Sequence, residues 1–313
     1  MTPTVTVIVP TRNRPALLRE ALASIADQEV PSGMVETIVV NDGGVDVTTA
    51  VDYAATRGLR VRALTLPHHA GLSAARNLGI QEARGDFLAF LDDDDIFLPS
   101  HLRTALTALE VNKSPAVYTS CLVRTSRLRP GSAQGTGAAH CYDFPFCPGL
   151  LSVSNYIPVH SLVLRSCAAR FDPALSALED WDMWLRLVHD HGFSFEHIPE
   201  ATVVYHRIPG ETSMTGCAAT QAATLARFAS QQRHIWARWP PDSGRAARFR
   251  LYLAVMYWQA LARHATGQRV STFYYYRTMR AIFSAWTWAE PEGELIDRIA
   301  TAVGDDSEAA NVA

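Results

Sequence analysis

The sequence predicts an α/β domain on a largely parallel sheet, followed by a helical region. Three observations predict it. The first 112 residues alternate short β-branched runs with amphipathic runs four times, the pattern of parallel strands joined by crossover helices. Each of those four runs ends in polar residues or glycine, where open α/β sheets bind ligands. From about 218 to 286 the chain becomes rich in Ala, Arg and aromatics at helical spacing.

Residues 4–10, TVTVIVP, form the first strand. RPALLREALASIADQ follows with Leu17, Leu18, Ala21, Leu22 and Ile25 at helical spacing, and Pro15 suits a first helical turn. VETIVVNDGG is a second strand ending in Asn, Asp and two glycines. DVTTAVDYAATRG is a helix closed by Gly58. LRVRALTL is a third strand, GLSAARNLGIQEARG a helix, DFLAFL a fourth strand and LPSHLRTALTALEVN a helix. Beyond these, RPGSAQGTGAA (129–139) is a loop by composition. HSLVLRS is a strand candidate, ALEDWDMWLRLVHDHG a helix with Trp181, Trp184, Leu185 and Val188 on one face, and FSFEHIPEATVVYHRI a hairpin or paired strands.

The 313 residues are 48% hydrophobic and 19% charged, with a net charge of −3. Such a chain has a sizeable core and no global attraction to nucleic acid. No apolar run is long enough for a membrane span, and MTPTVTVIVPTRNR does not read as a signal peptide, so a cytoplasmic protein is expected. Five cysteines without a C-x-x-C pair read as reduced thiols. Lys113, the single lysine, lies in EVNKSP, which excludes a P-loop and gives Schiff-base chemistry a poor setting.

The feature demanding explanation is FLDDDD, four consecutive aspartates at the end of a buried strand. Two carboxylates about 4 Å apart repel by roughly 4 kcal/mol at an effective dielectric near 20. Solvent, protons or a cation must offset that. The EF-hand loop pattern is absent.

Five motifs in order, VIVPTRNR, IVVNDGG, GLSAARNLGI, FLDDDD and LEDWDMWLRL, resemble those of inverting family 2 glycosyltransferases with the GT-A fold. They span residues 5 to about 215. The resemblance implies a nucleotide-diphosphate sugar donor, with UDP the first choice, a hydroxyl acceptor, and Mn²⁺ or Mg²⁺. A hard divalent ion would reconcile the carboxylates with the pyrophosphate and stabilise the departing diphosphate. By the same resemblance Asp94 is the direct metal ligand, and Asp92 and Asp93 touch sugar or ribose hydroxyls and support the metal. Asp95 is expected to cap the segment that follows. Asp42, Pro10, Thr11 and Arg12 would line the nucleotide, with a turn-forming Asn-Asp-Gly the bland alternative for Asp42. Arg76 would meet base or phosphate, or pair with an aspartate. Asp180 would be the general base that in-line displacement requires on the acceptor side, and Glu179 would orient acceptor or loop. Both carboxylates also suit a helix N-terminus. Arg207 would contact phosphate, His206 metal or phosphate, and Ser213 and Met214 would lie in a loop that orders on binding.

The expected division is a catalytic domain at 1–215 and a helical region at 216–313. Those helices would pack on the catalytic domain, meet another subunit, or lie on a membrane surface as a basic amphipathic helix. Two other classes remain: a sugar nucleotidyltransferase, disfavoured because PTRNRPALL lacks glycines and Lys, and a non-catalytic binding module, which should have lost the base or the metal aspartate.

Overall fold

The computed structural model describes residues 4–132, 138–208, 211, 221–288 and 291–304. In chain order the elements are β1 (Val5–Thr11), α1 (Pro15–Ala26), β2 (Val35–Asn41), α2 (Thr48–Thr56), β3 (Val61–Thr65), α3 (Leu72–Glu82), β4 (Phe87–Phe90), β5 (Ile96–Phe97) and α4 (His101–Asn112). Then come β6 (Ala116–Arg124), β7 (Ala138–Tyr142), the one-turn α5 (Pro148–Leu151), β8 (Leu162–Arg165), α6 (Glu179–His191) and β9 (Phe195–His206). The chain closes with α7 (Ala222–Arg238), α8 (Gly244–Ala265), α9 (Tyr274–Trp288) and α10 (Glu292–Gly304).

Among the described residues the strands form one sheet in the order β3-β2-β1-β4-β8-β6-β9-β5, with β7 added on β6. Pairings from β3 to β4 are parallel, and β1 and β2 are buried along their whole length. Strands covered on both faces become continuous β-branched runs, as these are. The half beyond β4 is mixed: β8 runs antiparallel to β4 and β6, whereas β9 runs parallel to β6. The crossover through α3 carries the chain from β3 past β2 and β1 to β4. Chain order therefore reverses at β1, and the carboxyl ends of β1, β2 and β4 share one edge, the place where open α/β sheets bind ligands.

Val5, Val7 and Val9 of β1, Leu18, Leu22 and Ile25 of α1 and Leu102, Leu106 and Leu109 of α4 belong to one buried cluster. On the other face, Ile38 and Val40 meet Ala75 of α3. α3 lies so close to β1 that a Cβ at Gly79 would come 2.4 Å from Ile8 Cγ2, which explains the second glycine of GLSAARNLGI.

One expectation is corrected. FSFEHIPEATVVYHRI is not a hairpin but the single strand β9, whose register on β6 jumps between Thr119↔Ile198 and Ser120↔Ala201. Pro199 lacks an N–H for the ladder, and an irregularity lets the strand pass it without turning back. Part of the 129–139 loop, residues 133–137, lies outside the described residues.

The chain divides into two compact units: Met1–Pro145 with Ile157–His206, and Phe146–Tyr156 with Arg207–Ala313. In the second, Arg250 explains why residues 146–156 belong with the helices. Its buried guanidinium donates to Ser152 O (2.7 Å), Trp236 O (3.2 Å) and Trp239 O (2.7 Å), satisfying carbonyls left open at helix C-termini. Among the described residues no helix is long and apolar enough to cross a membrane.

Candidate active site

Beyond β4 the chain turns tightly, with Asp95 N–H donating to Asp92 O (3.1 Å). The turn divides its four carboxylates among several partners, Arg14 being shared by two of them. Asp92 Oδ1 accepts from Arg76 (2.7 Å). Asp93 accepts from Thr11 Oγ1 (2.6 Å) and Arg14 (3.1 Å), and Asp94 from Arg14 (2.9 Å). Asp95 points inward and accepts the backbone N–H of His206 (2.8 Å), while its Oδ2 lies 3.3 Å from His160 Nδ1. The predicted cap of the following segment is thus corrected. The N–H that Asp95 satisfies belongs to β9, because β5 (Ile96–Phe97) pairs with β9 and brings His206 over the turn.

Two arginines do not fully compensate this cluster. Burial, then Asp92 and Asp93, push the Asp94 carboxyl up to about 6 against the pull of Arg14. Burial also raises Asp93, and raises Asp95 well above the usual carboxylate range. Among the described residues, Asp95 Oδ2 and His160 Nδ1 are buried without a hydrogen-bond partner. Together with Asp92 these atoms lie within 4.8 Å of one another, a geometry able to hold a metal ion. The side chains of Asp95 and His160 are only 1% and 4% exposed, against 29% for Asp92 and 19% for Asp94. An ion that must also touch a ligand's phosphate is therefore better served by Asp92 and Asp94, with Asp95 and His160 as the floor beneath them.

Arg76, 1% exposed on α3, joins the turn to the start of α6. Its guanidinium donates to Asp92 and, at 2.7 Å, to Glu179 Oε1. Burial alone would favour deprotonation, but Asp92, Glu179 and Asp180 hold the charge in place. The bland expectation for Arg76, an ion pair with an aspartate, is what the geometry contains. Glu179 and Asp180 open α6, where acidic groups meet the positive helix end. Leu178 before them is left-handed (φ 60°), a strained conformation for a leucine. Trp181 and Trp184 are fully buried core residues, and Trp184 Nε1 donates to Ile157 O (3.1 Å).

Asp42 follows β2. Its carboxylate accepts the N–H groups of Ala70 (2.7 Å) and Gly71 (3.0 Å), and His69 Nδ1 lies 2.6 Å away. Asn41 beside it folds its amide onto Gly44 and Val45. Gly43 (φ 62°) passes so close to His68 that a Cβ would lie 2.5 Å from its carbonyl carbon. Pro10 and Thr11 end β1 beside this loop, and Arg12 is exposed.

His206 has both ring nitrogens engaged: Nδ1 lies 2.9 Å from Asp94 O, and Nε2 accepts from Leu128 N–H (3.1 Å). That pattern requires the Nδ1–H tautomer and leaves no spare ligand nitrogen. Arg207, buried, belongs to the second unit and lies 5.5 Å from the Phe273 ring centre. Ser213 and Met214 lie outside the described residues. Sequence reasoning assigned no role to Arg14, His69 or His160. Arg14 stands in the quoted VIVPTRNR, but nothing local says that it faces residues 79 and 80 positions later.

The profile described as glycosyl transferase family 2 matches residues 6–143. Among curated proteins, an uncharacterised glycosyltransferase of Bacillus subtilis (strain 168), YwdF, is 28% identical over 207 residues, covering 64% of this chain and 73% of that protein. In four further relatives the match spans 29% to 62% of the relative's own length. Among solved structures, the mannosyltransferase PcManGT of Pyrobaculum calidifontis, in complex with GDP-Man and Mn²⁺, superposes with a TM-score of 0.59 at 20% identity, covering 96% of this chain and 86% of that one. S. aureus TarS 1–349 in complex with UDP-GlcNAc gives 0.53 at 16% identity, covering 96% and 90%. The profile matched over residues 6–143 and the glycosyltransferase relatives support a family 2 glycosyltransferase, and the solved neighbours share its fold.

Proposed function

We propose that the chain transfers a sugar from a nucleotide diphosphate, UDP before GDP or dTDP, to an acceptor hydroxyl with inversion. The observation that carries this reading is Arg76, whose two 2.7 Å hydrogen bonds tie the acidic turn to the Glu179–Asp180 pair. Donor-side and acceptor-side carboxylates are thereby held in one frame. Solved neighbours binding UDP-GlcNAc, or GDP-Man with Mn²⁺, support a nucleotide-sugar donor.

In this reading Asp42, Pro10, Thr11 and Arg12 receive the nucleoside, and Gly43 lets backbone approach it. Asp93, fixed by Thr11 and Arg14, offers its carboxylate edge to ribose or sugar hydroxyls. The donor set fits a hard divalent cation: carboxylate oxygens, two partly exposed, with the Asp94 carboxyl raised in the ion's absence. Asp92 and Asp94 would hold Mn²⁺ or Mg²⁺, which when bound stabilises negative charge on the leaving diphosphate. His206, expected among the ligands, instead clamps the Asp94 carbonyl. Arg14 is released from Asp94 to meet phosphate. Asp180 takes the acceptor's hydroxyl proton as the new bond forms, in line with departure of the diphosphate. Glu179, pinned by Arg76, fixes the backbone that aims Asp180.

The test pairs two variants. Asp180→Asn should abolish transfer while leaving UDP affinity within about threefold, since a lost base slows chemistry and not binding. Asp94→Ala should erase the Mn²⁺-dependent part of UDP binding in calorimetry. Near-wild-type turnover of Asp180→Asn removes the base assignment, and equal UDP affinity with and without Mn²⁺ in the wild type removes the metal.

A further inference from the structure

Charge is divided along this chain. Residues 218–288 contain ten arginines, no lysine and one acidic residue, Asp242, whereas the rest contains 18 basic and 30 acidic residues. Seven of the ten arginines are exposed. Within this stretch lies α8. Its inner face, with Phe249, Leu253, Met256 and Ala260, is buried. A surface helix ordinarily turns a polar face to water, and a helix apolar all round is ordinarily covered. α8 departs from this. Leu251 is 67% exposed and Trp258 69%, and between them Ala254 is exposed and Val255 half-buried. Positions i, i+3, i+4 and i+7 form one stripe along a helix. Exposed Arg248 stands one turn before it. Trp258 also edges an open groove of about 320 Å³, bordered by Ala262, Arg263 and Thr266.

We propose that this face of α8 seats the enzyme on an anionic lipid bilayer. Leu251, Val255 and Trp258 enter the boundary between headgroups and acyl chains, where Trp prefers to lie. Arg248 and the neighbouring arginines meet the lipid phosphates, and Arg263 sits where a headgroup entering the groove would find it. Charge decides the occupant. A second copy meeting it through the same face, as in a two-fold dimer, would bring the same excess of arginine to the contact and repel it, whereas an anionic surface attracts each nearby arginine. The proposal is independent of the transferase reading, and its test measures binding rather than turnover.

The full chain is sedimented with vesicles of phosphatidylcholine mixed with phosphatidylglycerol, and with vesicles of phosphatidylcholine alone. Binding is expected to the mixed vesicles only. It should weaken as salt rises from about 0.1 M to 1 M, because the screening length shrinks from about 10 Å to 3 Å. Leu251→Ser with Trp258→Ser should lower binding at least about tenfold, the effect of withdrawing two large apolar side chains. Both substitutions fall on exposed positions, and thermal melting matching the wild type verifies the fold. Arg248→Glu, independent of the apolar pair, should lower binding to mixed vesicles severalfold. Failure to bind either vesicle, equal binding to both, or undiminished binding by the variants overturns the proposal. So does a wild-type dimer that the double substitution renders monomeric, which would make a second copy the occupant.

Discussion

Replacing Arg76 by Met removes the only cation bonded to both Glu179 and Asp92 among the described residues, and keeps most of the side-chain volume. Two charge-assisted hydrogen bonds of 2.7 Å are lost, and Glu179, its side chain 8% exposed, is left buried without its counter-charge. Breaking a buried ion pair from one side costs about 3–5 kcal/mol. The lower part of that range applies here, because Asp92 is 29% exposed and water screens its half. For a unit of this size each kcal/mol lowers the melting temperature by about 2–4 °C, so the expected fall is roughly 6–15 °C. Scanning calorimetry reads it directly. Glu179→Gln in the same background should restore part of the loss, with a coupling of about 2 kcal/mol in the four-member cycle. Transfer activity at a temperature where all four proteins are folded should fall at least about a hundredfold for Arg76→Met, since misplacing a reacting group by about 1 Å has that effect. A melting temperature within about 2 °C of wild type, or a cycle with no coupling, would refute the argument that Arg76 holds the two acidic segments in one frame.

Other outcomes follow from the same geometry. The Asp94 carboxyl is raised to about 6 in the folded protein, so without metal its contribution to stability is present below the unfolded value near 4 and lost as pH climbs to about 6. Mn²⁺ must displace that proton, so its affinity should rise from pH 5 and level off above about pH 7. Calorimetry in buffers of different ionisation enthalpy should detect about three-quarters of a proton released per ion at pH 5.5, and none being released would contradict it. Gly43→Ala forces a Cβ to within 2.5 Å of backbone at φ 62°. It should cost at least about 1–2 kcal/mol and weaken UDP binding, measured by denaturant titration and calorimetry. His69→Ala removes the 2.6 Å partner of Asp42 but leaves its two backbone donors. UDP affinity should therefore change less than with Asp42→Ala, and the reverse order would show that His69 is itself the contact.

Much of this protein could be read from residue order. Alternating β-branched and amphipathic runs determined the four parallel strands and their crossovers. Pro15 and Gly58 marked helix limits, and the polar strand ends marked the edge where Asp42 and the acidic turn lie. These signals are local: burial on both faces makes a strand continuously apolar, and helix periodicity repeats within a few residues. The acidic turn and the Glu-Asp pair were legible for the same reason.

What only the tertiary structure decided is which charges meet. Arg76 and Glu179 are 103 residues apart, Arg14 and Asp94 80, and Asp95 and His206 111. No sequence period links such positions. Their pairing depends on chain order reversing at β1 and on β9 passing Pro199 without turning back. Four neighbouring residues therefore read as one acidic run with one counter-ion to find. Folding separates them: Asp92 goes to Arg76, Asp93 to Thr11 and Arg14, Asp94 to Arg14, and Asp95 to the backbone of His206, because a tight turn splays neighbouring side chains while the sheet brings distant partners to its rim.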